Sequence, residues 1–334
     1  MGLIKDIYSS TFYNRFAATL KKVKPSFRPE LFIKQAMSPA FRKMEWKERM
    51  NHTTTVLHDF LDKNYPAAIK EIGQIIGQLR SDGVPGGLEH IFLADYISRY
   101  GLDDFRSSVK ALELVTQYIS CEFAVRPFLI RYPEKMYAQM LKWSQHKSAA
   151  VRRLSTEGIR PRLPWAIAVP ALKADPTPVL PILENLKQDP SDNVRRSVAN
   201  NLNDIAKDHP LIVLKIAARW KGISPETDAI IKHGSRTLLK QGHTEILDHF
   251  GLSSKKLDVG KFTIITQNVS IGQDLLFTFD IINHNTKPSV IRIEYAIWYL
   301  RSNQTLSKKV FKIAEKTFPP NSTTTITRKN PSAC

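Results

Sequence analysis

Apolar residues in the first 250 positions recur at helical spacing. Leu3, Ile7, Phe12, Phe16 and Leu20 follow one another at about a turn, as do Phe27, Leu31 and Phe32. Few breakers interrupt Lys43 to Leu61, which predicts a single long helix there. Ile69, Ile72, Ile75, Ile76 and Leu79 form one apolar stripe, which predicts a helix over about 65–80. Residues 81–87, Ser-Asp-Gly-Val-Pro-Gly-Gly, read as a loop. Helix is expected again over about 88–100 and 105–118.

From about residue 120 the pattern becomes a repeat. Val151-Arg152-Arg153 returns 43 residues later as Val194-Arg195-Arg196, a period typical of stacked helical hairpins. First helices are expected from Pro133 to Trp143, from Thr177-Pro178 and from Pro210, with Pro in the first turn where its missing N–H costs nothing. Second helices are expected after Ser148, Ser191 and Ser224-Pro225, the last one running through Ile230 to Lys240. In this alignment Val151, Val194 and Ile230 correspond, as do Ile159, Leu202 and Leu238, i and i+8 on one buried face. The phrase from Asp192 to Leu202 resembles the second helix of a HEAT repeat, a unit that stacks into a solenoid.

At Gly251 the period shortens to that of strands. Phe262–Thr266, Leu275–Ile282, Val290–Leu300, Val310–Ile313 and Thr323–Thr327 are rich in β-branched and aromatic residues, and a turn cluster lies at 283–288. Five or six short strands predict a small immunoglobulin-like sandwich. The reading is thus an all-α HEAT-like solenoid over 1–251, a linker over 252–257 and an all-β sandwich over 258–334. Its last strand is expected to be missing, which leaves an unpaired edge.

Composition narrows the class. Of 334 residues, 42% are hydrophobic and 24% charged, a globular balance. The absence of a secretory pattern at the N-terminus, of an apolar run long enough to span a bilayer, and of more than two cysteines (Cys121 and Cys334) reads as a reduced, cytoplasmic chain. A net charge of +18 calls for a polyanionic partner, nucleic acid first and an anionic membrane surface second. No basic amphipathic helix favours the membrane. The histidines and cysteines lack zinc spacing, and no Gly-rich phosphate loop or nucleophile elbow occurs, so neither metal nor cofactor is expected.

Register then groups polar residues. Glu157 falls at the place of Asn200 in the next copy, and Asp204 lies one turn beyond it. Extending the register brings Arg236 and Lys240 to the same face. A second column holds Arg153, Arg196 and Lys232. An acidic centre with a basic border suits a phosphate backbone. Plainer roles are open too. Arg152 and Arg195 sit where repeat stacking places a ladder of arginines, and Glu157 is spaced to pair with Arg153 at i,i+4.

Three phrases carry a resemblance: Ser120-Cys-Glu-Phe-Ala-Val-Arg-Pro-Phe-Leu129, Ser155-Thr-Glu-Gly-Ile-Arg-Pro-Arg-Leu-Pro-Trp165, and Asn193 to Asp204. In this order, over about residues 1–251, they resemble the DNA alkylation-repair glycosylases of the HEAT-like repeat superfamily, and within it the AlkC branch. The attached immunoglobulin-like domain is similar to that of many members. The resemblance implies an enzyme that removes cationic N3-alkylated bases, 3-methyladenine and 3-methylcytosine, from double-stranded DNA as a monomer, without conventional base flipping. It implies Glu122, Glu157, Asp204 and Trp165 as the catalytic set. Arg153, Arg160, Arg196, Lys232, Arg236 and Lys240 are then expected to grip DNA. Pro161 and Pro164 break the helix before Trp165 and make it a groove wall; Trp143 reads as core, and Trp220 as either core or a second groove aromatic. The competing reading is a non-enzymatic HEAT-repeat scaffold for nucleic acid or protein, which leaves the clustered carboxylates unexplained.

Overall fold

The computed structural model describes residues 3–252, 254–270 and 272–331. The chain divides into two compact units, 1–213 with 220–234, and 214–219 with 235–334.

The first unit is helical. Its opening half comprises α1 (Ser10–Val23), α2 (Pro29–Ala36), α3 (Trp46–Phe60), α4 (Tyr65–Ser81), α5 (Phe92–Tyr100) and α6 (Phe105–Val115). Ser9 starts α1 by accepting the Phe12 N–H at 3.2 Å, and Asn64 starts α4 by accepting that of Ala67. The single helix expected over Lys43 to Leu61 is broken. A 3₁₀ turn ends at Lys43, and α3 starts afresh behind a reciprocal Glu45–Glu48 cap. Edge-to-face and tilted rings of Phe12, Phe16, Phe32 and Phe92 fill the space between these helices.

The repeats follow as α7 (Arg126–Arg131), α8 (Pro133–Trp143), α9 (Ala149–Glu157), α10 (Pro170–Ala174), α11 (Leu180–Leu186), α12 (Asp192–Ile205), α13 (Pro210–Trp220), whose residues 214–219 count with the second unit, and α14 (Pro225–Gly234). The second helices α9, α12 and α14 pack side by side, and Val151, Val194 and Ile230 are all buried. The repeated arginines do the same work in each copy. Arg152 Nη1 donates to the His146 and Lys147 carbonyls, and Arg195 Nη1 to those of Asp189 and Pro190. Arg152 also reaches forward to both oxygens of Asp189, so it ties one repeat to the next.

Tryptophan repeats in a similar way. Trp143 and Trp220 end α8 and α13, and each donates its indole N–H to a glutamate, Glu113 at 2.7 Å and Glu184 at 2.8 Å. Both are buried, so Trp220 is core and not a second groove aromatic. The third second-helix also departs from its expected span. It ends at Gly234, where a Cβ would stand 2.8 Å from that of Leu202. The close approach to α12 needs glycine there, and Leu238 falls beyond the break instead of continuing the buried face.

The second unit carries α15 (Arg236–Gln241), α16 (Thr244–His249) and five strands among the described residues: β1 (Leu257–Ile264), β2 (Asp274–Asn283), β3 (Ser289–Leu300), β4 (Leu306–Phe318) and β5 (Ser322–Pro331). They form an antiparallel sheet β1-β2-β5 and a hairpin β3-β4. Alternate residues Phe277, Phe279 and Ile281 of β2 meet Ile291 and Ile293 of β3 and Phe318 of β4 in one core. A register shift bulges β3 between Ile293 and Glu294. β5 pairs with β2 along its whole length. Cys334, with the chain beyond Pro331 on which the expected missing strand turns, lies outside the described residues.

Candidate functional site

Three segments of the first unit each deliver one carboxylate to a common place. Glu122 comes from the turn before α7, Glu157 is the last residue of α9, and Asp204 stands next to the end of α12. The α9 helix stops at Glu157 because Pro161 and Pro164 follow. At Gly158 the segment before α7 presses in so closely that a Cβ would meet Val125 Cγ1 at 2.6 Å.

Arginines join the three acids. Arg160 Nη1 donates to Glu157 Oε1 at 2.6 Å and its Nε donates to Asp204 Oδ2 at 2.8 Å. Arg153 Nη1 donates to Glu122 Oε2 at 2.8 Å and to Ser120 Oγ at 3.0 Å, and its Nη2 lies 3.9 Å from Glu157 Oε2. Ser120 itself donates to Glu122 Oε2, and Lys207 donates to Asp204 Oδ1 at 3.1 Å. Burial grades the acids: the Asp204 side chain is 2% exposed, that of Glu157 7% and that of Glu122 19%. Charges this dry are costly unless they are paired with good geometry. Burial pulls the Arg160 guanidinium down, but the hydrogen bond to Asp204 and the charges of Glu157 and Asp204 outweigh it and hold it above its ordinary value.

Beside the acids runs the 158–167 turn. Trp165 is its apex, 60% exposed and in the left-handed region at φ 64°. Its ring leans on that of the buried Trp46 at 5.5 Å between centroids, and Lys47 donates to its carbonyl. From inside, Arg126 grips the same turn through the carbonyls of Gly158, Arg160 and Ile167. A cavity of about 200 Å³ opens next to Trp165, with Lys47, Asn51, Asp95 and Ser120 among its lining.

The structure therefore brings Glu122, Glu157, Asp204 and Trp165 into one neighbourhood. Register alone pointed to Glu157 and Asp204. Asn200, which register set beside them, pairs instead with His233 at 3.0 Å. The basic residues divide. Arg160 is buried between two carboxylates and offers nothing to a surface phosphate, contrary to its expected role. Arg153 is held by Glu122. Arg196 is exposed on α12, 3.1 Å from Asp192, and Lys232 is exposed on α14. Arg236 and Lys240 are exposed on α15, past the break at Gly234, so the helical register that grouped them with Asn200 and Asp204 does not reach them. Sequence reading missed Arg126, Lys207, Trp46 and Lys47. Lys207 had a signal, three residues after Asp204 on one face; Trp46 and Lys47 had none, because their partner is more than a hundred residues away. Among the described residues no group of three or more His, Cys, Asp or Glu is placed to hold a metal ion, and no helix is long and apolar enough to cross a membrane.

Comparison with known proteins agrees with this arrangement. A family model described as the C-terminal Ig-like domain of uncharacterised protein YhaZ matches residues 258–333, and a HEAT repeat model matches residues 179–209. The uncharacterised protein YhaZ of Bacillus subtilis (strain 168) is 42% identical over 329 residues, 98% of this chain and 90% of that protein. The solved structure of Pseudomonas fluorescens alkylpurine DNA glycosylase AlkC, bound to DNA containing an abasic site analog, is similar with a TM-score of 0.93 and 32% identity, over 100% of this chain and 91% of that one.

Proposed function

The chain belongs to the AlkC-type family of HEAT-like repeat DNA glycosylases with a C-terminal immunoglobulin-like domain, and from this we propose that it hydrolyses the N-glycosidic bond of cationic N3-alkylated bases, 3-methyladenine and 3-methylcytosine, in double-stranded DNA. The observation that carries the reading is the meeting of Glu122, Glu157 and Asp204 beside an exposed tryptophan that leans on Trp46. Helix ends in two successive repeats and the turn before α7 supply the acids. The relative solved on DNA with an abasic site analog supports DNA as the partner.

An N3-alkylated base already carries a positive charge, so it needs no protonation to leave. It departs with the bonding pair of the C1′–N bond and becomes neutral, and the positive charge moves to the sugar. Carboxylates fixed in place stabilise that charge as it forms, and fixed dipoles cost no reorganisation at the moment of reaction. Arg153 and Arg160 hold the acids in position and offset part of their field. Water then adds at C1′ and gives up a proton to the carboxylate that orients it. Glu122 is the acid best placed to orient it: Asp204 has both oxygens taken by Arg160 and Lys207, whereas Glu122 is the most exposed of the three and, among the described residues, is held through Oε2 only.

Trp165 supplies selectivity. Its open face meets a cationic base, a contact worth about 2 kcal/mol when dry, or roughly thirtyfold in preference for a charged lesion. An exposed wall suits a reaction in which the lesion is not drawn into a deep pocket. The deciding assay is release of free base from duplexes carrying 3-methyladenine or 3-methylcytosine, read as strand scission at the abasic site. Failure to release either base above the uncatalysed rate rules the proposal out.

A further inference from the structure

We infer that Arg126 is a positioning residue: its buried guanidinium sets the 158–167 turn, and through it both Arg160 and Trp165, against the carboxylates. What that placement serves rests on the glycosylase reading; the placement itself does not.

Arg126 is fully buried, and among the described residues no carboxylate pairs with it. Its Nη1 donates to the carbonyls of Gly158 at 3.0 Å and Arg160 at 2.8 Å, its Nε donates to that of Ile167 at 2.5 Å, and its Nη2 is buried without a partner among the described residues. A dry arginine without an acid is a costly choice for closing a turn. Burial pushes this one down to about 10, with the charge of Arg160 adding to the effect and that of Asp204 opposing it.

The geometry explains the choice. The three carbonyls lie at the two ends of the turn, two beside the end of α9 and one past Trp165. A planar fork with fixed donors spans both ends at once, which an ammonium cannot do. Between those ends the backbone has to hold Trp165 at φ 64°, a conformation that costs about 1–3 kcal/mol and persists only where its surroundings determine it. Arg160, whose carbonyl Arg126 takes, is also the residue whose side chain bridges Glu157 and Asp204. One buried group thus fixes the aromatic wall and the ion bridge together. Tight packing of Val125 on Gly158 sets the distance between Arg126 and the turn.

Two routes perturb this clamp. Arg126→Lys removes the fork; Gly158→Ala pushes the turn off Val125 with every charge kept, and Val125→Ala added to it relieves the clash. Trp165 is followed by acrylamide quenching in a Trp298→Phe background, because Trp46, Trp143 and Trp220 are buried. Both single variants are expected to raise quenching of Trp165 and to slow single-turnover base release on the order of 10²-fold, the scale of a misplacement of about 1 Å, with duplex affinity unchanged. The Gly158→Ala/Val125→Ala pair recovers the rate, and guanidinium ion added to Arg126→Gly restores part of it. Wild-type rate and quenching in both single variants overturn the inference. So does a rate loss that matches only the unfolded fraction seen in thermal melts. If Arg126→Lys does not fold, the Gly158→Ala series decides alone. If the wild-type chain releases no base, the glycosylase reading fails and the quenching measurements still judge the clamp.

Discussion

Arg160 Nε lies 2.8 Å from Asp204 Oδ2 across 44 residues of chain. Arg160 stands in the turn that follows α9 and Asp204 next to the end of α12, so stacking of the repeats brings them together. Asp204 is 1% exposed and Arg160 7%. Removing one member of a buried pair leaves an uncompensated charge and costs about 3–5 kcal/mol. Arg160→Gln is therefore expected to lower the urea-unfolding free energy by about that amount, and to slow base release because Glu157 loses its anchor as well. A loss below about 1 kcal/mol, the worth of a surface pair, contradicts the buried bridge.

The acids themselves separate chemistry from binding. Glu157→Gln and Asp204→Asn keep the shape of the site while removing charge that acts on the transition state. Each is expected to slow single-turnover excision about 10²–10³-fold, with affinity for undamaged duplex close to wild type. Wild-type excision in both would remove them from the mechanism.

Trp165 is the site residue that the fold needs least. Most of its side chain is exposed, so Trp165→Ala is expected to shift stability by no more than about 0.5 kcal/mol. It is expected to lose up to about thirtyfold in excision of a charged lesion. The check pairs a denaturation curve with rates on 3-methyladenine and 3-methylcytosine duplexes. A large fall in stability with unaltered rates makes Trp165 a structural residue.

How much of this was legible depends on which interactions are local. The repeat was readable because Val151-Arg-Arg and Val194-Arg-Arg recur, and the structure gives Arg152 and Arg195 identical work on the preceding loop. The end of α9 was readable because two prolines follow it. Trp220 was ambiguous because its partner Glu184 sits a whole hairpin away. The span of α14 was misjudged because Gly234 reads as a tolerated glycine until Leu202 is seen against it. The role of Arg160 was misread for the same kind of reason: an arginine in a loop looks like a surface cation until Asp204 arrives from the next repeat.

Acid should act on the first helices through His90. This side chain is 3% exposed, packed against the rings of Phe12, Phe16 and Tyr118, with Glu89 Oε1 3.6 Å from its Nδ1. Burial holds its pKa below the ordinary 6.5, against the pull of Glu89. A group depressed in the folded state takes its proton first in the unfolded chain. Its contribution is full above the ordinary value and is lost as pH falls through the folded one. Stability is expected to decline from about pH 6.5 downward, and His90→Gln to flatten that slope. Equal slopes for variant and wild type, measured by urea unfolding between pH 5 and 8, dismiss His90 as the titrating group.

The basic column makes a prediction that separates its two parts. Arg196 and Lys232 are exposed on neighbouring helices α12 and α14, where a phosphate backbone can reach them. Each phosphate neutralised contributes about 0.9 to the slope of log affinity against log salt. Arg196→Ala with Lys232→Ala is expected to weaken duplex binding and to flatten that slope by nearly two, with the excision rate at saturating enzyme unchanged. Arg153 stands in the same column by sequence but is bonded to Glu122 and Ser120. Arg153→Ala is expected to leave the slope nearly intact and to slow excision, because Glu122 loses its support. A steep fall in salt slope for Arg153→Ala, with excision unaltered, would assign this arginine to the DNA backbone instead.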